Sequence, residues 1–489
     1  MSGLNGRSVI SIDDLSIDDI ETIFDTADDI RDNLGKYQNI ASSRILATLF
    51  HEPSTRTRLS FESSMQRLGG SVISTSDVNS SSTVKGESLA DTSRVIGAYS
   101  DLIVIRHPLE GAAKLAAEYS QVPVINGGDG RHEHPTQTLC DLYTLRQRHG
   151  SLTGLKVALC GDLLNGRTIH SLAFALARFG ANIIFVPGDG NDVPQYVLRR
   201  LEKEYSAHIQ REQLGILSAL FSATDANSEP TTVDAIYITP KEPHQLSMTS
   251  IEGTAVQFQR SSEDALSIYV TRPQKERSND PNNLGSYPTL NAKVLEDSNF
   301  KNISILHPLP RVDELSPDVD SDPRSLYFQQ AALSVPVRMA LIYHVLGLGI
   351  EESAVIDRKY YKRNISGLLH TQDDFECSNE SCIKNHERSF VSSEFEIIRD
   401  DQYKLRCLYC DTETPATHVG NIQSKIYYPS NHLDRILPAV LQNNVRFFDS
   451  EKSAQLSGYR ALASNWRKYH PEPDKQNDTW IERIRKLSY

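Results

Sequence analysis

The residues best suited to chemistry lie in one stretch, 50–62, with the sequence Phe-His-Glu-Pro-Ser-Thr-Arg-Thr-Arg-Leu-Ser-Phe-Glu. An apolar run at 45–50 predicts a buried strand, and the segment from residue 55 to the glycine pair at 69–70 predicts a helix. The turn between them lies at a helix N-terminus, where unpaired backbone N–H groups and the helix dipole favour an anion. The preference for an anion is strengthened by hydroxyl and guanidinium donors, which belong to Ser54, Thr55, Arg56 and Thr57. The stretch therefore predicts a phosphate site, and the alternative is a capped helix with surface arginines.

The composition limits the class of protein. A chain of 489 residues is too long for one core, and its 39% hydrophobic and 23% charged residues are ordinary for globular domains. A net charge of −12 argues against a general nucleic-acid binder. Apolar runs stay shorter than the ~18 residues of a membrane span, and the first residues do not form a secretory signal. We therefore expect a multidomain cytoplasmic protein without a nucleic-acid or membrane partner.

Alternating strand-like and helical segments predict an α/β fold with two doubly wound parallel-sheet domains. The first domain spans residues 1–149 and is completed by a C-terminal helix near 330–349. The second domain spans residues 150–329. A small β-rich zinc domain with four cysteines and a C-terminal appendage are expected to follow.

The first turn of the second domain is similar to a nucleotide-binding loop, but one residue differs. Residues 161–168 have the pattern G-x4-G-R-T, whereas a phosphate loop has G-x4-G-K-[ST]. Arg167 takes the place of the lysine, and its planar guanidinium is better suited to grip a carboxylate. The dinucleotide pattern G-x-G-x-x-G follows none of the predicted strands. We therefore expect neither nucleotide hydrolysis nor an organic cofactor.

Further polar clusters lie in predicted loops, and each is weak evidence alone. They lie at residues 79–87, 106–108, 134–137, 271–277 and 307–311. Taken together and in this order with the phosphate turn and Arg167, they strongly resemble the aspartate carbamoyltransferase family over roughly residues 8–350. That family joins carbamoyl phosphate to L-aspartate, giving N-carbamoyl-L-aspartate and phosphate in pyrimidine biosynthesis.

The resemblance implies a role for each matching residue. The phosphate would be bound by Ser54, Thr55, Arg56, Thr57 and Arg106, and the carbamoyl group by His134 and Gln137. The two carboxylates of aspartate would be held by Arg167, Arg272 and Gln274, and the backbone carbonyls of Leu309 and Pro310 would orient substrate nitrogens. Ser81 and Lys85 would reach into the site of a neighbouring subunit, which implies a homotrimer or a larger homo-oligomer.

The chemistry suits these residue types. An amine that attacks a carbamoyl carbon forms a tetrahedral oxyanion, which Thr57, Arg106 and His134 can stabilise as preorganised donors. The leaving phosphate gains charge, which Arg56, Arg106 and Lys85 can offset. The enzyme therefore needs no covalent nucleophile.

Two alternatives remain. Ornithine carbamoyltransferase shares the phosphate turn and the histidine, but it would have to accept a cationic side chain, and that family has a cysteine where this chain has Pro308. A catalytically silent scaffold would have no need for both sets of arginines. One departure from the family is that 233–239 and 266–271 both predict the strand before Arg272, so that about thirty extra residues separate two candidates.

The C-terminal third contains a four-cysteine pattern, made by Cys377, Cys382, Cys407 and Cys410. In a chain with no disulfide framework this spacing predicts a structural zinc site, with a β-hairpin between the two cysteine pairs. Residues 366–425 resemble the zinc domain of the aspartate carbamoyltransferase regulatory chain, here fused to the catalytic chain. A nucleic-acid-binding zinc ribbon is the alternative, which the acidic surroundings disfavour. Residues 426–489 form a small tail domain to which we assign no chemistry.

Overall fold

The computed structural model describes residues 3–75, 86–164, 166–188, 191–211, 232–239, 259–260, 266–272, 289–296, 302–349, 368–399, 403–430 and 444–461. The chain divides into two compact units. The first comprises Met1–Pro108 and Ala116–Tyr361, and the second comprises Leu109–Leu115 and Lys362–Tyr489.

The described helices have the following bounds: α1 Ile17–Asp32, α2 Leu34–Tyr37, α3 Thr55–Arg67, α4 Leu89–Tyr99, α5 Ala112–Tyr119, α6 Pro135–His149, α7 Arg167–Arg178, α8 Gln195–Lys203, α9 Tyr327–Val345, α10 Ile383–His386 and α11 Glu451–Leu456. Helix α1 begins after Ser16, its N-cap residue. Ser16 accepts a hydrogen bond from the backbone N–H of Asp19, whose carboxylate accepts one from the N–H of Ser16, which completes a capping box.

A four-stranded parallel sheet forms the first half of the first unit. Its strands are β1 Ile45–Phe50, β2 Ser71–Thr75, β3 Leu102–His107 and β4 Val124–Asp129, in the order β2-β1-β3-β4. The central strands β1 and β3 are apolar and almost wholly buried, as expected of a parallel sheet covered by helices on both faces. The sequence predicts β1 with its observed bounds.

A six-stranded sheet forms the second half, also with parallel pairing. Its strands are β5 Lys156–Gly161, β6 Asn182–Pro187, β7 His208–Arg211, β9 Ala235–Thr239, β11 Leu266–Val270 and β12 Ile303–Leu306, in the order β12-β11-β9-β5-β6-β7. The short strands β8 Thr232–Val233 and β10 Gln259–Arg260 pair separately. The expected α/β class with two parallel sheets is confirmed.

The two candidate strands before Arg272 both exist. β9 and β11 pair in parallel, with Tyr237 opposite Tyr269 and Ile238 opposite Val270. Only β11 leads into Arg272, since it ends at Val270. The extra residues therefore connect two neighbouring strands of one sheet, and most of them lie outside the described residues.

Helix α9 closes the first half of the unit. It packs against α1, α3 and α6, and its last turns bury Leu341, Ile342 and Val345 completely. Each such side chain contributes about 1.5–3 kcal/mol by leaving water. Helix α9 therefore holds in place α3, which follows the predicted phosphate turn, and α6, which follows His134.

The second unit contains two antiparallel or mixed sheets. The first has β13 Leu368–Thr371, β14 Glu394–Arg399, β15 Tyr403–Cys407 and β16 Glu413–Pro415, in chain order. The second has β17 His418–Asn421, β18 Ile426–Pro429, β19 Val445–Phe448 and β20 Arg460–Ala461, in the order β19-β17-β18-β20. The pair β14 and β15 is the hairpin predicted between the cysteine pairs.

The segment Leu109–Leu115 packs within the second unit. The backbone N–H of Glu110 donates to the carbonyl of Ser381 at 2.9 Å, and the N–H of Ile383 donates back to the carbonyl of Glu110 at 2.9 Å. The side chain of Glu110 accepts from Asn379 at 2.7 Å. Lys114 Nζ donates to the carbonyl of Leu408 at 2.8 Å.

None of the helices in the described part of the chain has the length and apolar content that a membrane crossing requires.

Candidate active site

The predicted phosphate turn lies at the N-terminus of α3. Ser54 is the N-cap residue, and its side chain makes no capping hydrogen bond among the described residues. The first turn contains no acidic residue, so the positive end of the helix dipole is not neutralised within the helix itself. Thr55 and Arg56 are exposed at this end, whereas Thr57 is buried. The turn therefore presents hydroxyl and N–H donors to an anion.

Arg106 reaches the same place from the end of β3. Phe50, the last residue of β1, lies opposite Arg106 in the sheet, so the turn after β1 is beside this arginine. Arg106 is 8% exposed, and its Nη2 donates to Glu52 Oε1 at 2.7 Å. Its Nη1 donates to the carbonyl of Gly127 at 3.3 Å, while its Nε is buried with no hydrogen-bond partner among the described residues.

The charges of two other arginines act on Arg56 at this end of α3. Partial burial, together with the guanidinium charges of Arg272 and Arg106, lowers the pKa of Arg56. Like charges raise each other's electrostatic energy when no anion lies between them. These three guanidinium groups, from α3, β3 and the residues just after β11, form an arginine site whose mutual repulsion a ligand with several negative charges would offset.

His134 is the N-cap residue of α6, and it is buried. Its Nε2 lies 3.5 Å from Nη1 of Arg106, and its Nδ1 lies 3.5 Å from the hydroxyl of Thr136. The backbone N–H of His134 donates to Ser171 Oγ at 3.4 Å. The histidine therefore lies next to the arginine site with its ring fixed from two sides.

Gln137 lies one turn into α6. Its amide nitrogen donates to Oδ1 of Asp141 at 2.9 Å, which fixes the plane of the amide group. Asp141 follows Gln137 by four residues on the same helix, a spacing that places two side chains on one face.

A buried histidine organises the loop with Leu309 and Pro310. The backbone N–H of Leu309 donates to Nδ1 of His307 at 2.8 Å, so the proton of the neutral ring is on Nε2, which donates to Glu314 at 2.9 Å. Burial lowers the pKa of His307. Leu309 has a left-handed backbone with φ of 54°, and the Leu309–Pro310 peptide bond is cis.

Several predicted site residues are not described. Lys85, Ser81 and Gln274 lie outside the described residues, as does the side chain of Arg167. The backbone of Arg167 forms the start of α7, after a turn in which Gly161 has φ of 97° and a Cβ would clash with the carbonyl oxygen of Thr239.

The sequence interpretation missed three acidic residues beside the predicted site, Glu52, Asp141 and Glu314. Each had a signal. Glu52 lies inside the phosphate stretch, Asp141 follows Gln137 by one helical turn, and Glu314 lies just after the predicted loop at 307–311. The basic residues drew attention because the expected substrates are anions, although each of these carboxylates contacts a predicted site residue or its loop.

The four predicted cysteine ligands come together in the second unit. Their Sγ atoms all lie within 4.8 Å of one another and all four residues are buried. The Sγ atoms of Cys377 and Cys410 are 3.5 Å apart, and those of Cys382 and Cys407 are 3.6 Å apart. A tetrahedral zinc ion with Zn–S bonds of about 2.3 Å places its sulfurs about 3.8 Å apart, so the cluster fits such an ion.

Comparison with protein families points to one class, the carbamoyltransferases. Residues 7–147 match the carbamoyl-P binding domain of aspartate/ornithine carbamoyltransferase, and residues 238–345 match its Asp/Orn binding domain. Residues 365–419 match the metal binding domain of the aspartate carbamoyltransferase regulatory chain. The predicted fusion of catalytic and regulatory-chain elements is confirmed.

The individual relatives are carbamoyltransferases of the aspartate type. The aspartate carbamoyltransferase catalytic subunit of Thermoplasma acidophilum is 45% identical over 350 residues, which covers 70% of this chain and 99% of the relative. That of Clostridium perfringens is 43% identical, with the same shares covered. The structure of the catalytic subunit of M. jannaschii aspartate transcarbamoylase has a TM-score of 0.54 at 39% identity, over 70% of this chain and 98% of that one.

A second structure contains the reaction products. Aspartate transcarbamoylase from Trypanosoma cruzi, in complex with carbamoyl aspartate and phosphate, has a TM-score of 0.55 at 34% identity, over 70% of this chain and 96% of that one. The chain belongs to the aspartate carbamoyltransferase family. The prediction of a carbamoyl-transferring enzyme of the aspartate type is therefore confirmed, and the region after about residue 365 carries a metal-binding domain.

Proposed function

We propose that this chain transfers the carbamoyl group of carbamoyl phosphate to the amino group of L-aspartate. The observation that carries the proposal is that the charges of Arg106 and Arg272 act on Arg56 at the N-terminus of α3, with the buried His134 beside Arg106. Carbamoyl phosphate and aspartate together bring several negative charges, which such a site can neutralise.

The phosphate half would use the turn before α3. Ser54, Thr55, Arg56 and Thr57 would bind the phosphate oxygens with Arg106, whose Nε is buried without a partner among the described residues. His134 would donate to the carbonyl oxygen of the carbamoyl group, and Gln137 would contact the carbamoyl nitrogen. As the amine attacks, Thr57, Arg106 and His134 would stabilise the negative charge that grows on this oxygen.

The aspartate half would use residues of the six-stranded sheet. Arg167, Arg272 and Gln274 would hold the two carboxylates, and the carbonyls of Leu309 and Pro310 would orient the substrate nitrogens. Two bound anions held in one geometry react as if in a single molecule, which supplies much of the rate.

The test is carbamoyl transfer by the purified protein with L-aspartate and, separately, with L-ornithine. We expect turnover with aspartate alone, because the positive charge of Arg272, which acts on Arg56, favours a second carboxylate and opposes the cationic side chain of ornithine. Turnover with ornithine would contradict the choice of substrate. A folded protein that turns over neither amino acid would support a catalytically silent scaffold.

We further propose a cytoplasmic homotrimer or larger homo-oligomer, in which Ser81 and Lys85 complete the site of a neighbouring subunit. Catalytic complementation tests this arrangement. Mixing Lys85→Ala with Arg56→Ala subunits restores activity if two chains share a site, and restores none if each site belongs to one chain. The predicted domain limits at 1–149, 150–329, 366–425 and 426–489 belong to the same proposal.

The metal is proposed to be zinc in a structural role. Four thiolates complete a tetrahedron and leave no position open for a substrate, which supports a closed structural site. Cys377, Cys382, Cys407 and Cys410 would hold the ion. Metal analysis of the protein purified without added metal, with one zinc per chain expected, tests the identity.

A further inference from the structure

One buried carboxylate touches three elements that carry, or are bonded to, segments with predicted substrate contacts. Asp141 of α6 is 2% exposed, and its Oδ1 accepts hydrogen bonds from Gln137, Tyr269 and Gln330. Its Oδ2 is buried and has no hydrogen-bond partner in the part of the chain that the structure describes. We refer to Asp141, Gln137, Tyr269 and Gln330 as the Asp141 junction.

The first connection leads to the carbamoyl side of the site. Nε2 of Gln137 donates to Oδ1 of Asp141 at 2.9 Å. An amide has one donor end and one acceptor end, so holding the nitrogen fixes the direction of the carbonyl oxygen. Without Asp141 the amide would lose this anchor and could rotate.

The second connection leads to the aspartate side. The hydroxyl of Tyr269 in β11 donates to Oδ1 at 2.9 Å, and β11 continues into Arg272 three residues later. The ring of Tyr269 stacks on that of Tyr237 in β9, with centroids 4.1 Å apart and planes 15° apart. The hydroxyl of Tyr237 lies 3.3 Å from that of Thr168, the neighbour of Arg167 at the start of α7.

The third connection leads to the loop with Leu309 and Pro310. Nε2 of Gln330 donates to Oδ1 of Asp141 at 3.2 Å, and Oε1 of the same side chain accepts from the backbone N–H of His307 at 2.9 Å. His307 in turn accepts from the N–H of Leu309. One glutamine thus ties the carboxylate to this loop.

We propose that Asp141 is a positioning residue, which holds Gln137, the strand that leads into Arg272 and the loop of Leu309 and Pro310 in one arrangement so that both substrates are oriented together. The inference rests on the proposed function for the identity of the substrates. It explains why a carboxylate is buried where it cannot touch water. One oxygen that accepts three donors aligns α6 and α9 with β11 of the six-stranded sheet.

The charge of Asp141 has few compensating neighbours. Burial raises the pKa of this carboxyl to about 7, although the three hydrogen bonds and the charge of Arg338 in α9 each act to lower it. The other titratable groups near it are Tyr269, Tyr237 and Cys140, whose pKa values are raised by burial and by this carboxylate. An ionised acceptor makes stronger hydrogen bonds than a neutral one. The junction is therefore tighter above neutral pH than below it.

The test compares Asp141→Asn and Tyr269→Phe with the parent protein. Asparagine keeps the acceptor oxygen but removes the charge, and it places an NH2 group where Oδ2 lacks a partner. We expect kcat/KM for aspartate to fall about 10- to 100-fold, because small misplacements of oriented substrates are costly. The parent rate should rise with pH through about 7, and the Asn variant should lack this rise.

Calorimetry provides a readout that does not need turnover. Inorganic phosphate should bind the parent and Asp141→Asn with the same affinity within twofold, since the turn before α3 is not part of the junction. Succinate, the dicarboxylate without the amino group, should bind the phosphate-loaded variant at least tenfold more weakly. If the parent binds both but has no turnover with aspartate, the proposed function fails and the positioning role is still judged by the succinate affinity.

Tyr143→Phe is the matched control. Tyr143 is also buried, lies two residues after Asp141 on α6, and donates to the carboxylate of Asp28 instead of to the junction. It should keep the parent kcat/KM, pH profile and succinate affinity. Parent-like values in both Asp141→Asn and Tyr269→Phe would overturn the inference. If Asp141→Asn does not fold, Tyr269→Phe alone decides, with a fall in succinate affinity expected.

Discussion

The carboxylate of Glu52 lies 2.7 Å from Nη2 of Arg106, between the phosphate turn and the end of β3. Glu52 thus neutralises a buried arginine that the proposed reaction needs for phosphate. An incoming phosphate has to compete with this carboxylate for the guanidinium group.

Glu52→Gln should strengthen the binding of inorganic phosphate. The substitution removes a negative charge beside Arg106 and keeps the shape of the side chain, so we expect about a threefold to fivefold tighter dissociation constant at low salt. Titration calorimetry at two ionic strengths measures it. Glu62→Gln, on the same helix as the phosphate turn but paired with Arg58, is the control. Weaker phosphate binding in the Glu52 variant would contradict the competition.

Arg56→Ala should reduce kcat by 100-fold or more, since it removes a charged donor from the centre of the arginine site. The fold should be retained, because the side chain is exposed at the first turn of α3. Arg67→Ala, in the last turn of the same helix, is the matched control and should keep full activity. An active Arg56→Ala protein would refute the assignment of the phosphate turn.

Loss of the metal should unfold the cysteine region before the rest of the chain. Without an ion, four buried Sγ atoms within 4.8 Å of one another cannot all stay ionised, so the cysteines take up protons and lose the bonds that hold the two cysteine pairs together. Hydrogen exchange after chelation should show loss of protection in β14 and β15 ahead of β1 and β3. Cys407→Ser should reproduce this pattern, whereas Cys160→Ala, in the core of the six-stranded sheet, should leave the metal content unchanged. Equal protection with and without metal would count against a structural role.

Acid should destabilise the protein through His170. Burial lowers the pKa of this ring to about 4, although its hydrogen bond to the carbonyl of Leu163 acts to raise it. Below the ordinary pKa near 6.5 the unfolded chain binds a proton that the folded chain cannot, so stability falls as the pH drops from 6.5 towards 4. At pH 5 the loss from this group is about 2 kcal/mol.

His170→Gln should remove that part of the acid sensitivity. Glutamine can still donate to Leu163 but does not titrate, so the gap between the unfolding midpoints at pH 7 and pH 5 should shrink relative to the parent. Exposed His208→Gln is the control and should leave the gap unchanged. An unchanged gap in His170→Gln would show that the ring does not govern the acid response.

The fold was predictable from the sequence where one signal controls the local structure. The apolar run of β1, the box that caps α1 and the hairpin between the cysteine pairs each follow from neighbouring residues. The choice between β9 and β11 could not be made in this way, because both are apolar and their order in the sheet depends on pairing between residues far apart in the chain.

The sequence predicts the donors of the candidate site, but it does not predict the residues that hold those donors in position. Arg56 and Arg106 belong to recognisable stretches, and in the structure the charges of Arg106 and Arg272 both act on Arg56. Gln330 could not be recognised from the sequence, since a glutamine inside a helix is ordinary until the two ends of its side chain are seen to contact Asp141 and His307. Such supports come from tertiary packing, which pattern alone does not encode.

The short segment Leu109–Leu115 limits how the chain can be divided for separate study. A protein ended at residue 361 would keep this segment but lose the Ser381, Ile383, Asn379 and Leu408 groups that satisfy its hydrogen bonds. Gly111, whose backbone lies close against Tyr409, would face solvent together with the amide and carbonyl of Glu110. Truncation at residue 361 therefore exposes Leu109–Leu115 without the hydrogen-bond partners that the second unit provides. Excised fragments of this chain should for that reason be less soluble than the intact protein.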